Sequence, residues 1–138
     1  MLETNSKAPA FSLPDQDGKI HSLNEYAGGW LLVYFYPKDD TPGCTEEACS
    51  LRDNLSALKA KGLSIVGVST DSVASHKKFA QKFTLPFPLL ADEKKEMVEA
   101  YGVWAEKSMY GKKYMGTLRN SFLIRPDGTI AKIYEKVK

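Results

Sequence analysis

Apolar residues along this chain occur in two alternating patterns. Short continuous runs rich in branched and aromatic residues are too short for a buried helix, and they predict interior strands. Between them lie longer segments whose apolar residues recur at the spacing of one helix face. Strands that alternate with helices predict parallel pairing. The predicted interior strands are 30–36, 63–68 and 89–90, and the predicted helices are 46–60, 73–83 and one from the capping residue Asp92 through Tyr101.

Both ends of the chain carry the pattern of β-hairpins, in which two strands flank a turn built from Gly, Asp or Pro. Between the last helix and the second hairpin, residues 102–118 show no clear period and predict a long loop. The elements together predict one α/β domain over residues 1–138, with a mixed central sheet, helices on both faces and an N-terminal β-hairpin. The predicted hairpin strands are 9–13 with 19–23, and 120–125 with 129–134.

Composition and charge narrow the possible functions. The 138 residues are 43% apolar and carry a formal net charge of +2, as in an ordinary globular domain. Sixteen lysines are scattered among seventeen acidic residues, which argues against nucleic acid or a membrane surface as a partner. No apolar run approaches the length of about 18 residues that a membrane span needs. The first six residues lack the pattern of a secretion signal, so a cytoplasmic location is expected.

The segment after the first interior strand carries most of the candidate chemistry. Two prolines and a glycine break the chain there and place Cys44 in the opening turn of the following helix. A thiol at that position faces unpaired backbone N–H groups and the positive end of the helix dipole, and both favour the thiolate. Because the thiolate is the reactive form, Cys44 is placed for nucleophilic chemistry.

The only other cysteine is Cys49, five residues further along the same predicted helix. In a regular helix this spacing puts the two Cα atoms about 8.7 Å apart, whereas a disulfide needs less than about 7 Å. Either the two cysteines never bond, or the helix unwinds before they do. The spacing suits a reactive thiol whose oxidised product is captured after a local conformational change.

The residues around Cys44 resemble a known active-site signature. Pro37-x-x-x-Thr41-x-x-Cys44 matches the Pro-x-x-x-Thr-x-x-Cys pattern of peroxiredoxins. Cys44-Thr45-x-Glu47-Ala48-Cys49 is similar to the Q-type subfamily, also called bacterioferritin comigratory proteins. The likeness covers nearly the whole chain and includes Met109-Tyr110-Gly111-Lys112, Tyr114-Met115-Gly116 and Arg119-x-x-Phe122-Leu123-Ile124.

This resemblance implies a thioredoxin-like fold and a monomeric thiol peroxidase that needs no metal or organic cofactor. The thiolate of Cys44 would attack hydrogen peroxide or an organic hydroperoxide and become a sulfenic acid. Cys49 would then condense with it as the resolving cysteine, and thioredoxin or a similar dithiol would reduce the disulfide. The family usually adds a C-terminal helix after the last strand. Because the chain ends at Lys138, we expect no such helix, one sheet face less covered, and lower stability or association.

The resemblance also implies roles for two residues that precede the thiol. The Thr41 hydroxyl would bond the peroxide and orient it beside the sulfur, although threonine in such a loop can also be a simple N-cap. Pro37 would shield the thiolate from water, and it also ends the strand.

A cation near Cys44 would favour the thiolate and stabilise charge on the departing oxygen. Arginine suits this role better than lysine because its fork of donors is fixed and always charged. Of three arginines, Arg125 lies at the wrong end of its strand, and Arg52 lies about 12 Å along the helix from the thiol. Arg119 remains, and it matches the family arginine. Glu47 shares a helix face with Cys44 and is expected to pair with Arg119, or else to be a solvated first-turn glutamate.

Two other functions of this fold class are weighed against the peroxidase. A disulfide oxidoreductase would normally show Cys-x-x-Cys, which is absent. A copper chaperone would use Cys-x-x-x-Cys with a histidine, and the spacing here is one residue longer, so soft-metal binding would need the same unwinding. His21 and His76 are isolated in sequence and are expected at the surface. Tyr110, Tyr114 and Met115 would either pack the predicted loop or line the pocket or a surface for a reductant.

Overall fold

The computed structural model describes residues 2–135, and this part of the chain forms nine strands and four α-helices. The strands are β1 (Ser12–Pro14), β2 (Ile20–Ser22), β3 (Trp30–Phe35), β4 (Leu63–Ser69), β5 (Leu89–Ala91), β6 (Trp104–Met109), β7 (Lys112–Thr117), β8 (Ser121–Ile124) and β9 (Ile130–Tyr134). The helices are α1 (Pro42–Asp53), α2 (Leu55–Ala60), α3 (Val73–Phe83) and α4 (Glu96–Ala100), and a 3₁₀ turn covers Leu23–Tyr26.

Five strands form the central sheet in the order β5-β4-β3-β8-β9. β3, β4 and β5 pair in parallel, and β8 and β9 add antiparallel pairing at the other edge. β1 and β2 pair separately as an N-terminal hairpin. The predicted mixed sheet with a thioredoxin-like arrangement is therefore confirmed.

The two faces of the sheet are buried against different elements. Along β3, Val33 and Phe35 point to one face, where Met97 and Val98 of α4 complete an apolar cluster. Tyr34 points to the opposite face, because successive strand residues alternate between faces. That second cluster is covered by α1, α2 and α3. It includes Cys44 and Ala48, so α1 is part of the core as well as of the candidate site.

Residues 102–118 do not form the predicted loop. β6 and β7 pair antiparallel along their whole length, and the two turn residues, Tyr110 and Gly111, have φ of 54° and 80°. A two-residue turn with two positive φ values matches the twist of a hairpin and is usually signalled by Asn-Gly or Asp-Gly. Tyr-Gly is not one of those signals, and this is why the hairpin was missed.

Three further expectations were wrong or need adjustment. The predicted helix 46–60 begins earlier, at Pro42, and is interrupted at Asn54, whose side-chain amide donates to the carbonyl of Ser50 and competes with the helix ladder. His21 and His76 are not surface residues, since they are 6% and 0% exposed. His21 contacts the carboxylate of Asp15 and His76 that of Asp39, and neither contact can be read from a single sequence.

The last described strand, β9, ends at Tyr134. The expectation that no C-terminal helix follows it falls beyond position 135, outside the described residues. Over residues 2–135, none of the helices has both the length and the apolar character to cross a lipid bilayer.

Candidate active site

Cys44 is the third residue of α1 and is 1% exposed. Pro42 occupies the first helical position, where its missing N–H costs nothing. The first helical hydrogen bond runs from the Thr45 amide to the Thr41 carbonyl at 2.8 Å. The thiol therefore lies in the opening turn, beside backbone amides that have no carbonyl partner within the helix.

One guanidinium contacts both Cys44 and Glu47 near the start of α1. Nη2 of Arg119 donates to Cys44 Sγ at 3.1 Å, and Nη1 of the same group donates to Glu47 Oε1 at 3.3 Å. Arg119 lies in the connection between β7 and β8, far from α1 in sequence. The two donors of the planar fork are thus used together, which fixes the orientation of the guanidinium against the sulfur.

Gly43 makes room for this guanidinium. A Cβ added at Gly43 would lie 3.2 Å from Arg119 Nη2, which is tighter than ordinary contacts between such atoms. A side chain at this position would therefore require the guanidinium to shift by a few tenths of an ångström.

Thr41 is the N-cap residue of α1, but its side chain does not cap the helix. Its hydroxyl donates instead to the Lys38 carbonyl at 3.0 Å. Because the hydroxyl proton is used in this way, its lone pairs can accept a hydrogen bond from the O–H of a bound molecule. Pro37 is half-buried in the same loop, two residues after the end of β3.

Cys49 is partly exposed on the same uninterrupted helix as Cys44, and both carry free thiols. The five-residue helical spacing keeps their Cα atoms about 8.7 Å apart. The two sulfurs therefore cannot bond while α1 keeps this conformation.

A buried network fixes the loop that carries Thr41. Asp39 is 7% exposed, and its carboxylate accepts from the Tyr36 hydroxyl at 2.6 Å and from the Ser75 hydroxyl at 2.8 Å. His76 Nδ1 lies 2.7 Å from the same carboxylate, and the Asp39 amide donates to Asp71 at 2.8 Å. Sequence reasoning missed this network because its members come from two segments, 36–39 and 71–76, that meet only in the fold.

Three members of that network, Asp39, Asp71 and His76, bring ligand atoms within 4.8 Å of one another. These atoms already have hydrogen-bond partners: His76 Nε2 lies 2.9 Å from the Leu90 carbonyl, and the Ser69 hydroxyl donates to Asp71 at 2.6 Å. The group is built to hold the loop rather than to hold an ion.

Sequence reasoning gave no role to Lys107, a half-buried lysine on β6. Burial lowers the pKa of Lys107 below its ordinary value of 10.5, and the positive charge of Arg119 lowers it further, while Cys44 opposes the shift. The hairpin that carries this lysine was itself not predicted.

Comparison with known proteins places the chain in a family. The model of the AhpC/TSA family matches residues 4–133. Peroxiredoxin Bcp of Escherichia coli K12 is 49% identical over 137 residues, which cover 99% of this chain and 88% of the relative. The putative peroxiredoxin bcp of Coxiella burnetii is 47% identical over 137 residues, covering 99% of this chain and 91% of the relative.

Solved structures of similar proteins indicate the same family. The bacterioferritin comigratory protein of Xanthomonas campestris superposes with a TM-score of 0.90 at 38% identity, covering 99% of this chain and 89% of its own. A cysteine-to-serine mutant of Xylella fastidiosa PrxQ gives a TM-score of 0.94 at 32% identity, covering 100% and 88%. Together with the thiol and guanidinium described above, these matches show that the chain belongs to the AhpC/TSA family and is a peroxiredoxin of the Q, or bacterioferritin comigratory, type.

Proposed function

We propose that this peroxiredoxin reduces hydrogen peroxide and organic hydroperoxides at Cys44 and recycles through an intramolecular disulfide with Cys49. The observation that carries the proposal is the 3.1 Å contact from Arg119 Nη2 to Cys44 Sγ. A fixed positive charge against the sulfur would stabilise the negative charge that the sulfur carries as a nucleophile.

In the first step, the Cys44 thiolate attacks the terminal oxygen of the peroxide. The S–O bond forms as the O–O bond breaks, so the sulfur is oxidised to a sulfenic acid and the peroxide is reduced to an alkoxide or hydroxide. A proton from solvent completes the alcohol or water. Arg119 would stabilise the charge that develops on the departing oxygen. Thr41, whose lone pairs are available, would accept from the peroxide O–H and hold it in line, and Pro37 would shield the thiolate from water.

In the second step, the Cys49 thiol condenses with the sulfenic acid, which gives a disulfide and releases water. This step requires the first turns of α1 to unwind, because the intact helix separates the two cysteines. Glu47 would hold the Arg119 fork until the helix opens, since the two are paired at 3.3 Å. A dithiol protein such as thioredoxin would then reduce the disulfide by exchange.

The proposal extends to the peroxide substrate, the oligomeric state and the cellular location. The X. campestris relative is described by its alkyl peroxide reduction activity, and this similarity supports organic hydroperoxides as substrates here. We place the protein in the cytoplasm as a monomer. Support for the compartment comes from the cycle itself, which needs both cysteines returned to free thiols by a dithiol, as a reducing compartment allows.

The geometry disfavours the copper chaperone. A guanidinium lies against Cys44, where it would repel a metal cation. The two histidines that could have joined the thiols instead contact carboxylates, His21 with Asp15 and His76 with Asp39. Anaerobic copper titration gives a direct check, since stoichiometric copper binding without peroxide turnover would favour the chaperone.

Serine substitution of each cysteine tests the cycle. Cys44→Ser should abolish peroxide consumption with thioredoxin, thioredoxin reductase and NADPH. Cys49→Ser should consume one equivalent of peroxide per chain and accumulate a sulfenic acid that dimedone traps, because the capture step is missing. Mass spectrometry of the oxidised wild type should show a Cys44–Cys49 bond. Equal initial oxidation rates for the wild type and Cys44→Ser would rule out Cys44 as the reactive thiol.

A further inference from the structure

His76 on α3 has an oxygen acceptor against each of its ring nitrogens. Nε2 lies 2.9 Å from the Leu90 carbonyl, which can only accept. Nδ1 lies 2.7 Å from the Asp39 carboxylate, and because two lone pairs cannot face each other at that distance, a proton lies between them. The Tyr36 hydroxyl gives its own proton to the same carboxylate at 2.6 Å. Imidazole is a stronger base than carboxylate, so His76 carries the proton and forms an ion pair with Asp39.

The charges of this pair compensate each other inside the fold. The side chains of His76 and Asp39 are 0% and 3% exposed. Ligand atoms of Asp39, Asp71 and His76 lie within 4.8 Å of one another. Two carboxylates this close repel each other unless a cation lies beside them, and the imidazolium supplies that positive charge. Removing it would leave a buried negative charge without compensation, which is strongly unfavourable.

Only Asp40 separates Asp39 from Thr41 in the chain. Asp40 has φ of 57°, a left-handed conformation that residues with a side chain seldom adopt and that persists only where the surroundings impose it. Two contacts could impose it here: the Asp39 amide donates to Asp71 at 2.8 Å, and Lys82 contacts the Asp40 carboxylate at 2.9 Å. The pair with Lys82 is exposed to solvent and contributes little. The buried anchor at Asp39 therefore decides where Thr41 lies.

This anchor is separate from the contacts that hold the thiol. Within residues 2–135, no hydrogen bond joins His76 or Asp39 to Cys44 or to Arg119. The guanidinium reaches the sulfur from the connection between β7 and β8. A change in the ion pair should consequently displace Thr41 and leave the charge beside Cys44 as it is.

We propose that the His76–Asp39 ion pair positions Thr41 and thereby controls how fast Cys44 reacts with peroxide, but not how nucleophilic Cys44 is. The inference rests on the proposed function and deepens it, since it names two positioning residues for the hydroxyl that would accept from the peroxide O–H. His76 lies outside the Pro-x-x-x-Thr-x-x-Cys motif, and Asp39 is one of its unspecified positions.

Two rate constants test the proposal in a Cys49→Ser background, where Cys44 is the sole thiol. Rapid mixing with hydrogen peroxide reports the reaction that uses Thr41, whereas alkylation by iodoacetamide, which has no O–H group, reports the nucleophilicity of the sulfur. His76→Leu should lower the peroxide rate constant by about tenfold, because misplacing an orienting group by about 1 Å can cost up to about a hundredfold. The alkylation rate constant should not change.

His21→Leu is the matched control. His21 is also a buried histidine in contact with carboxylates, but these belong to Asp15 and Glu25, which lie around the N-terminal hairpin and not in the loop that carries Thr41. This variant should keep both rate constants of the parent protein. Equal peroxide rate constants for His76→Leu and His21→Leu would overturn the inference, as would a parallel fall of the peroxide and alkylation rate constants in His76→Leu.

A double-mutant cycle with Thr41→Val separates positioning from a general loosening of the fold. Without the hydroxyl there is nothing left to position, so adding His76→Leu to Thr41→Val should lower the peroxide rate constant no further. Additive losses would overturn the inference, because the ion pair would then act by another route. Ser75→Ala is a milder variant for use if His76→Leu does not fold. It removes a donor that lies 2.8 Å from Asp39, and it should give a smaller fall with peroxide and none with iodoacetamide.

Two measurements on the reduced protein do not depend on peroxide. The Asp39 amide should exchange its hydrogen faster in His76→Leu and keep its protection in His21→Leu. Nitrogen NMR of the wild type at pH 7 should find both ring nitrogens of His76 protonated, and a ring protonated at one nitrogen only would overturn the ion pair. If both results are as expected but the wild type consumes no peroxide, the proposed function fails and the positioning of the loop by His76 stands.

Discussion

Gly43 has no side chain, and the Arg119 guanidinium occupies the space beside it. Gly116 plays the same part for the stem of Lys107. In both cases a long cationic side chain occupies space that a side chain at the glycine would fill. A site of this kind can be weakened by adding atoms, even where no functional group is removed.

Gly43→Ala should separate stability from reactivity. Alanine favours a helix over glycine by up to about 1 kcal/mol, so the unfolding free energy from urea titration should stay the same or rise. The rate constant with peroxide should fall several-fold, because the new methyl group lies 3.2 Å from Arg119 Nη2 unless the guanidinium shifts.

Gly29→Ala is the matched control, since an added Cβ there would meet its nearest atom at an ordinary 3.7 Å. It should leave the rate constant unchanged. If Gly43→Ala reacts with peroxide as fast as the wild type, the close approach of Arg119 is not needed for the reaction.

At the residue scale, local patterns found the thiol, and elimination among three arginines led to the guanidinium that contacts it. The sequence could not show that His76 meets Asp39, because 37 positions separate them and only the packing of α3 against the loop joins them. Side chains that gain their role through tertiary contacts carry no local signature.

The helix α1 is the element on which the proposed cycle depends. Its first seven residues are held by the buried side chains of Cys44 and Ala48, and its last turn by Arg52, which donates to the Phe83 carbonyl at the end of α3. A break at Asn54 then separates it from α2. The N-terminal half can therefore open while the C-terminal half stays attached to α3.

Hydrogen exchange across residues 44–52 should distinguish the reduced from the oxidised protein. We expect protection in the reduced protein and faster exchange after oxidation, because the disulfide cannot form on an intact helix. The helix α4, which packs on the opposite face of the sheet, serves as an internal control and should change far less than 44–52. Equal protection of 44–52 in the two states, with the Cys44–Cys49 bond confirmed by mass spectrometry, would show that the helix does not unwind.

At the element scale, sequence patterns predicted β4 to within one residue and α3 with the bounds observed, because continuous apolar runs and helical spacing are strong where both sides of an element are constrained. The hairpin β6–β7 has exposed residues along much of its length, including Tyr114 and Met115 at 44% and 51%. Without burial on one face there is no alternation to detect. The helix break at Asn54 was likewise invisible, since its apolar face continues across it.

In the whole molecule, α1 contributes to the cluster that also holds α2 and α3 against the sheet. Opening its first half therefore disturbs one of the two cores. The disulfide itself adds little to the free energy of unfolding, because a bridge across so short a loop stabilises the folded protein by only about 2 kcal/mol.

We expect the oxidised protein to be less stable than the reduced one. Deleting buried groups from protein cores lowers the free energy of unfolding, and on that scale the loss of Cys44 and Ala48 from the core costs about 3 to 4 kcal/mol together. This cost exceeds the stabilisation by the disulfide. Urea unfolding of both forms, monitored by the fluorescence of the two tryptophans, should give a free energy lower by about 1 to 2 kcal/mol after oxidation. An oxidised form that resists urea better than the reduced form would contradict this account, and Cys49→Ser, which forms no bridge, is the control for effects of peroxide alone.

The network around Asp39 has a consequence for how the site is restored after each cycle. All of its partners, Tyr36, Asp71, Ser75 and His76, lie outside α1, so unwinding that helix breaks none of these bonds. The active centre therefore has one segment that keeps its position, the loop before Thr41, and one segment that unwinds, the first turns of α1. When the disulfide is reduced, Cys44 returns to a threonine that has kept its place, and the peroxide pocket is rebuilt by the folding of one short helix segment.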